Sequence, residues 1–169
     1  MEQPLYRYLA KDHDRLDKLL AEATSDPDEI KPDAYADFRK GLLRHISIEE
    51  KIVLPAIARF QNGRQADVAQ RLRLDHGAIV ALLVPPPSPS IVATLRSILG
   101  IHNNLEEGQD GLYLLLERLA GDERMKLFES MRSAPDIPVL PHNSRPDILE
   151  VTRRAVERAG YDFNQVPPK

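Results

Sequence analysis

The chain has 169 residues, 42% of them hydrophobic and 29% charged, with 23 basic against 26 acidic side chains, a formal net charge of -3 and no cysteine. The length sets the expectation of one domain with a real core and at most a short appendage. The missing thiol excludes disulfide scaffolds, thiolate zinc and iron-sulfur sites and a Cys nucleophile. The slightly acidic balance argues against nucleic acid as a partner. No apolar run reaches the roughly 18 to 20 residues of a membrane span, and the first ten residues carry no signal-peptide core. The expectation is a soluble cytoplasmic protein with no membrane partner.

Apolar residues recur at helical spacing along most of the chain, and the breaks fall at Pro, Gly and Asp clusters. The first predicted helix covers residues 5–23, with Leu5, Leu9, Leu16 and Leu20 on one face, and Ser25-Asp26-Pro27-Asp28 ends it. The second opens at Pro32-Asp33, follows Phe38, Leu42, Ile52, Ala56 and Phe60, and closes at Asn62-Gly63. Pro55 lies inside it and predicts a kink or early distortion, because it removes a donor and pushes on the preceding turn. The third covers residues 64–83 with Val68, Leu72, Ile79 and Leu83 inward, and residues 85–90, four of them proline, form a stiff connector. The fourth covers residues 90–120, through Ile91, Leu95, Ile98, Tyr113 and Leu116, with Gly108 and Gly111 as weak points costing about 1 kcal/mol each against Ala.

Four helices joined by short loops predict an all-α, up-down-up-down four-helix bundle over residues 1–120. Residues 121–169 read as a C-terminal extension with one or two short helices, packed on the bundle or on a second subunit as a homodimer. One helix falls within residues 122–132, an irregular arm over 133–146, and another after Ser144, with Asp147 completing a capping box and Ile148, Leu149, Val151 and Val156 as its apolar side.

The chain has five histidines, and four of them fill gaps in the apolar stripes. His13 interrupts Leu9 and Leu16; His45 and Glu49 lie between Leu42 and Ile52; His76 lies between Leu72 and Ile79; His102 and Glu106 follow Ile98. Each long helix therefore points a histidine inward, and the second and fourth add a glutamate one turn on. Burying two ionised carboxylates without compensation costs several kcal/mol each, a large share of the roughly 5 to 15 kcal/mol that holds a domain folded. A cation supplies that compensation; mutual His–Glu pairing, or a rotation that takes Glu49 and Glu106 to the edge, is the alternative. At about 1.5 Å per residue, His45–Glu49 and His76 fall at matching depths, His13 close to them, and the helix-four pair less well. A pseudo-repeat runs through the set: Asp12-His13 against Asp75-His76, and His45-x-x-x-Glu49-Glu50 against His102-x-x-x-Glu106-Glu107. Four imidazoles and two carboxylates with twofold pseudosymmetry suit a dinuclear centre. Nitrogen and oxygen donors without thiolate suit iron or manganese, with zinc also accommodated, and redox chemistry favours iron.

In this order the residues resemble the hemerythrin-like, or HHE cation-binding, family. The match is carried by His13, by His45-x-x-x-Glu49-Glu50 leading into Ile52-Val53-Leu54-Pro55, by His76 and by His102-x-x-x-Glu106-Glu107, over about residues 3–120. The resemblance implies a non-haem centre of two iron ions, oxo- or hydroxo-bridged, with Glu49 and Glu106 as bridging carboxylates. Oxygen-carrying members have a second histidine on the third helix; here Leu72 and Val80 hold the positions one turn either side of His76. The remaining histidine, His142, lies in the arm and reads as a surface residue, with folding back as a ligand the minor alternative. Each iron would then be roughly five-coordinate with an exchangeable position on both metals. That arrangement favours sensing of, or reaction with, O₂, NO or peroxide over reversible storage. Water, Glu50 or Glu107 filling the exchangeable positions is the alternative; the two glutamates lie about 100° around their helices from the bridging glutamates and read first as solvated. Tyr113 reads as a core residue with its hydroxyl near the surface, and a hydrogen-bonding or redox-active neighbour is the other reading. Two further functions stay open: an iron-handling or iron-donating protein, and a metal-free helical interaction module. Whether the chain is an enzyme is equally open.

Overall fold

The computed structural model describes residues 2–164, and every regular element among them is helical. The elements are α1 (Pro4–Ala23), α2 (Pro32–Ile48), a π-turn (Glu49–Val53), α3 (Leu54–Phe60), α4 (Ala69–Leu82), α5 (Pro89–Glu107), α6 (Leu112–Ala120), α7 (Arg124–Arg132) and α8 (Ile148–Arg158). No helix among the described residues is long and apolar enough to cross a membrane.

The chain divides into two compact units. One comprises the residues up to Ala69 together with Asn103–Pro138, and the other comprises Gln70–His102 together with the residues from Val139 onward. In the first unit α1 packs along α2 and against α6 and α7, and α3 packs on α6. Its core is built from fully buried side chains such as Leu5, Leu9, Phe38, Leu54, Ile57 and Leu116. Arg44 ties the end of α7 to α2: its guanidinium donates to the carbonyls of Met131 (3.3 Å) and Ala134 (2.9 Å), while the Tyr8 ring meets Phe128 edge-on at 5.7 Å. In the second unit Thr152 Oγ1 of α8 donates to the Ala81 carbonyl at 3.2 Å, and the Asn143 N–H donates to the Val84 carbonyl at 2.9 Å. Both parts of the sequence after Gly121 therefore pack on helices of their own chain.

The distortion expected at Pro55 is present as a π-turn, Glu49–Val53, that runs directly into the first turn of α3, where Pro55 sits. Four other expectations need correction. The wide turn advances the buried face by one residue, so Val53 rather than Ile52 follows Glu49 into the core. The third helix starts at Ala69, five residues later than its apolar pattern suggested, and Val68 is only half-buried. The fourth helix is broken at Gly108–Gly111, leaving α5 and α6 as separate elements and Gln109 exposed. On α8 the buried residues are Thr152 and Val156, while Leu149 and Val151 are each 53% exposed; Asp147 pairs with Arg145 and makes no capping bond.

Candidate metal centre

In the first unit α1 presents His13 from the middle of its buried face, between Leu9 and Leu16. The last turn of α2 presents His45, the π-turn presents Glu49, and the end of α5 presents Glu106. All four side chains are buried, the glutamates completely. Each offers a ligand atom within 4.8 Å of the others. His13 Nε2 lies 3.4 Å from Glu106 Oε2, His45 Nε2 lies 3.3 Å from Glu49 Oε1, and the two rings are 4.5 Å apart.

The far nitrogens of both rings are held. His45 Nδ1 meets Asp12 Oδ2 at 2.9 Å, and His13 Nδ1 pairs with Glu107 Oε1. A carboxylate on Nδ1 keeps the proton there and turns the Nε2 lone pair toward the cluster, the tautomer in which imidazole binds a metal. Glu107 is thus bound rather than solvated, with its side chain one-third exposed.

Tyr113 departs furthest from expectation. It is fully buried, and its hydroxyl stands among the four ligand candidates: it donates to Glu49 Oε1 at 2.5 Å, lies 3.0 Å from Glu106 Oε2, and is 3.1 Å from the Nε2 atoms of both His13 and His45. Burial and the neighbouring charges of Glu49 and Glu106 push its pKa well above the ordinary tyrosine value.

The same charges act on the imidazoles. Burial alone would lower the pKa of His45, but Glu49, Asp12 and Glu106 outweigh it and raise it to about 10. His13 is raised too, burial being outweighed by its bonds to Glu106 and Glu107. Burial opposes the charge on Asp12, yet His45 and Arg15 hold its carboxyl at about 2. Without a metal, protons on the imidazoles supply the positive charge the buried glutamates need.

In the second unit His76 and His102 are both buried, with ring centroids 4.9 Å apart. His102 Nδ1 meets Asp75 Oδ2 at 3.2 Å, and the fully buried Asp75 also pairs with Arg71 at 2.6 Å. Arg71 in turn lies over the Tyr161 ring at 4.7 Å. The half-buried His142 belongs to this unit. His102 and Glu106 stand one turn apart on α5, whose chain passes from the second unit to the first between His102 and Asn103.

Imidazole nitrogens and carboxylates gathered out of water on helices form a donor set compatible with cation binding. Residues 5–84 match the model of the hemerythrin HHE cation binding domain. The matched stretch contains His13, His45, Glu49 and His76 and ends before α5. No curated protein and no solved structure matches the chain.

Proposed function

We propose that the protein is a non-haem di-iron protein of the hemerythrin type that binds, senses or reacts with O₂, NO or peroxide. The observation that carries this reading is the buried group of His13, His45, Glu49 and Glu106, whose ligand atoms converge while Asp12 and Glu107 orient the two rings. Two carboxylates and two imidazoles suit one ion of the iron, manganese or zinc type. The second ion is assigned to His76 and His102, because His102 stands one turn from Glu106 on one helix and repeats the His45–Glu49 spacing. Iron in such a donor set supplies the electrons for binding or reducing a small oxidant. The residues' own contribution is to exclude water, fix the imidazole tautomers and match the cation's charge with buried carboxylates.

The test is metal analysis of protein purified without air and loaded with ferrous iron, with the visible spectrum recorded before and after exposure to O₂. Two irons per chain and a spectral change on oxidation are expected, and Glu49→Ala should lose the metal. Retention of both ions by Glu49→Ala would show the ligand assignment to be wrong, and absence of iron after loading would overturn the metal reading.

A further inference from the structure

The position of the Tyr113 hydroxyl has no explanation as packing. A phenylalanine would fill the same apolar volume, since the Tyr113 ring is fully buried and meets Tyr6 edge-on at 6.3 Å. The oxygen, however, lies within hydrogen-bond distance of four ionisable groups: two carboxylates at 2.5 and 3.0 Å and two imidazole nitrogens at 3.1 Å each. A phenol has a single proton to donate, so it cannot serve both carboxylates. These four groups come from α1, α2, the π-turn and α5, and all aim at the point where the phenol oxygen of α6 stands.

The backbone is arranged to bring it there. In an unbroken helix Tyr113 would lie about 10 Å along the axis from Glu106. The turn at Gly108–Gly111 instead starts a new helix at Leu112, with Tyr113 as its second residue. A Cβ on Gly111 would run into the Glu106 carbonyl, so this close return requires glycine.

We propose that Tyr113 is a ligand, binding as phenolate the metal ion held by His13, His45, Glu49 and Glu106. The assignment rests on the metal-centre reading above. On binding, the phenol O–H bond breaks, its electron pair forms the oxygen–metal bond, and the proton leaves to solvent; no oxidation state changes. A phenolate is a hard anionic donor and favours ferric over ferrous iron.

The full chain, loaded with ferrous iron without air and then oxidised with ferricyanide, provides the test. Oxidised wild type should show a visible phenolate-to-iron(III) absorption, and Raman excitation within it should enhance tyrosinate ring vibrations. Tyr113→Phe should retain iron and lose both signals. Replacing each of the other four tyrosines, Tyr6, Tyr8, Tyr35 and Tyr161, by Phe should leave the signals unchanged, which identifies the ligand even if Tyr113→Phe does not fold. Iron uptake without tyrosinate vibrations, their survival in Tyr113→Phe, or their loss in one of the other four variants overturns the ligand assignment alone. A wild type that takes up no iron overturns the metal-centre reading and this assignment with it.

Discussion

Asp12 on α1 accepts the Nδ1–H of His45 on α2 at 2.9 Å, and Asp12 directly precedes His13, a member of the same cluster. The second unit repeats the arrangement, with Asp75 directly before His76 and 3.2 Å from His102 Nδ1. One helix thus supplies both a histidine and the carboxylate that orients the histidine of the next helix. The Asp-His pairs of the sequence repeat gain a physical role from this: adjacent residues on a helix point about 100° apart, enough for one to enter the cluster and the other to reach its neighbour's outer nitrogen. Asp12→Asn keeps an acceptor but removes the charge that makes His45 a good donor to metal. Metal affinity should fall by about 10- to 100-fold, as is usual for the partner of a metal-bound histidine. Competition against a chelator of known affinity checks this, and unchanged affinity would show that Asp12 serves only structure.

The two titrations give the metal-free protein a defined pH window. His45 is raised from 6.5 to about 10, so its stabilising charge is complete below pH 6.5 and is lost as the pH rises through 10. Asp12 is held down from 3.8 to about 2, so its contribution is complete above pH 3.8 and is lost as the pH falls through 2. Denaturant midpoints of the metal-free chain should therefore decline from neutral toward pH 10. Metal binding needs the His45 Nε2 lone pair and so displaces a proton. Affinity should rise with pH by roughly tenfold per unit for each proton displaced. The loaded protein should lose the alkaline decline, and parallel midpoint curves for the two forms would contradict the pairing described.

Glu117 provides the cap that α1 lacks locally. Pro4 has no N–H, Gln3 makes no side-chain capping bond, and the N–H groups of Leu5 and Tyr6 donate to Glu117 Oε2 from α6 at 2.9 and 3.1 Å. Arg124 completes the arrangement at 2.6 Å from Glu117 Oε1. Glu117→Ala removes a buried acceptor from two backbone donors and should lower stability by about 2 kcal/mol. Urea unfolding measures this, and Glu117→Gln should recover part of the loss.

The readable part of this protein is the part that depends on helical phase. His13, His45, His76, His102, Glu49 and Glu106 each interrupt an apolar stripe, and each is buried as that phase requires. Phase carries no information about what a side chain meets across the core. Glu117 lies more than a hundred residues from the N–H groups it caps, and nothing local to Pro4 marks it. Tyr113 falls on the same predicted helix as Glu106, a helix that the structure breaks; Gly108 and Gly111 mark the end of one element and the start of the next rather than weak points within one. The slip from Ile52 to Val53 has the same origin, since a constant 3.6-residue period cannot anticipate the extra residue of a π-turn.

Gly111 and Gly100 provide a contrast of sign. Gly111 precedes α6 with φ -73 and ψ 170, a conformation open to any residue, so its requirement for glycine is spatial rather than torsional. A Cβ there meets the Glu106 carbonyl and comes within 2.9 Å of the Gly108 nitrogen, both backbone atoms that cannot turn aside. Relief requires α6 to move away from the end of α5, and that motion separates the Tyr113 hydroxyl from Glu106 and Glu49. Gly111→Ala should therefore cost about 1 to 3 kcal/mol, as overpacking does, and should weaken metal binding in the same protein. At Gly100, inside α5 and exposed, a Cβ meets nothing within 4 Å. There the higher helix propensity of alanine acts alone, and Gly100→Ala should stabilise by up to about 1 kcal/mol and leave metal affinity unchanged. Urea midpoints and chelator competition on the two variants separate the effects: a Gly111→Ala protein as stable and as metal-avid as wild type would show that the corner between α5 and α6 does not set the position of Tyr113.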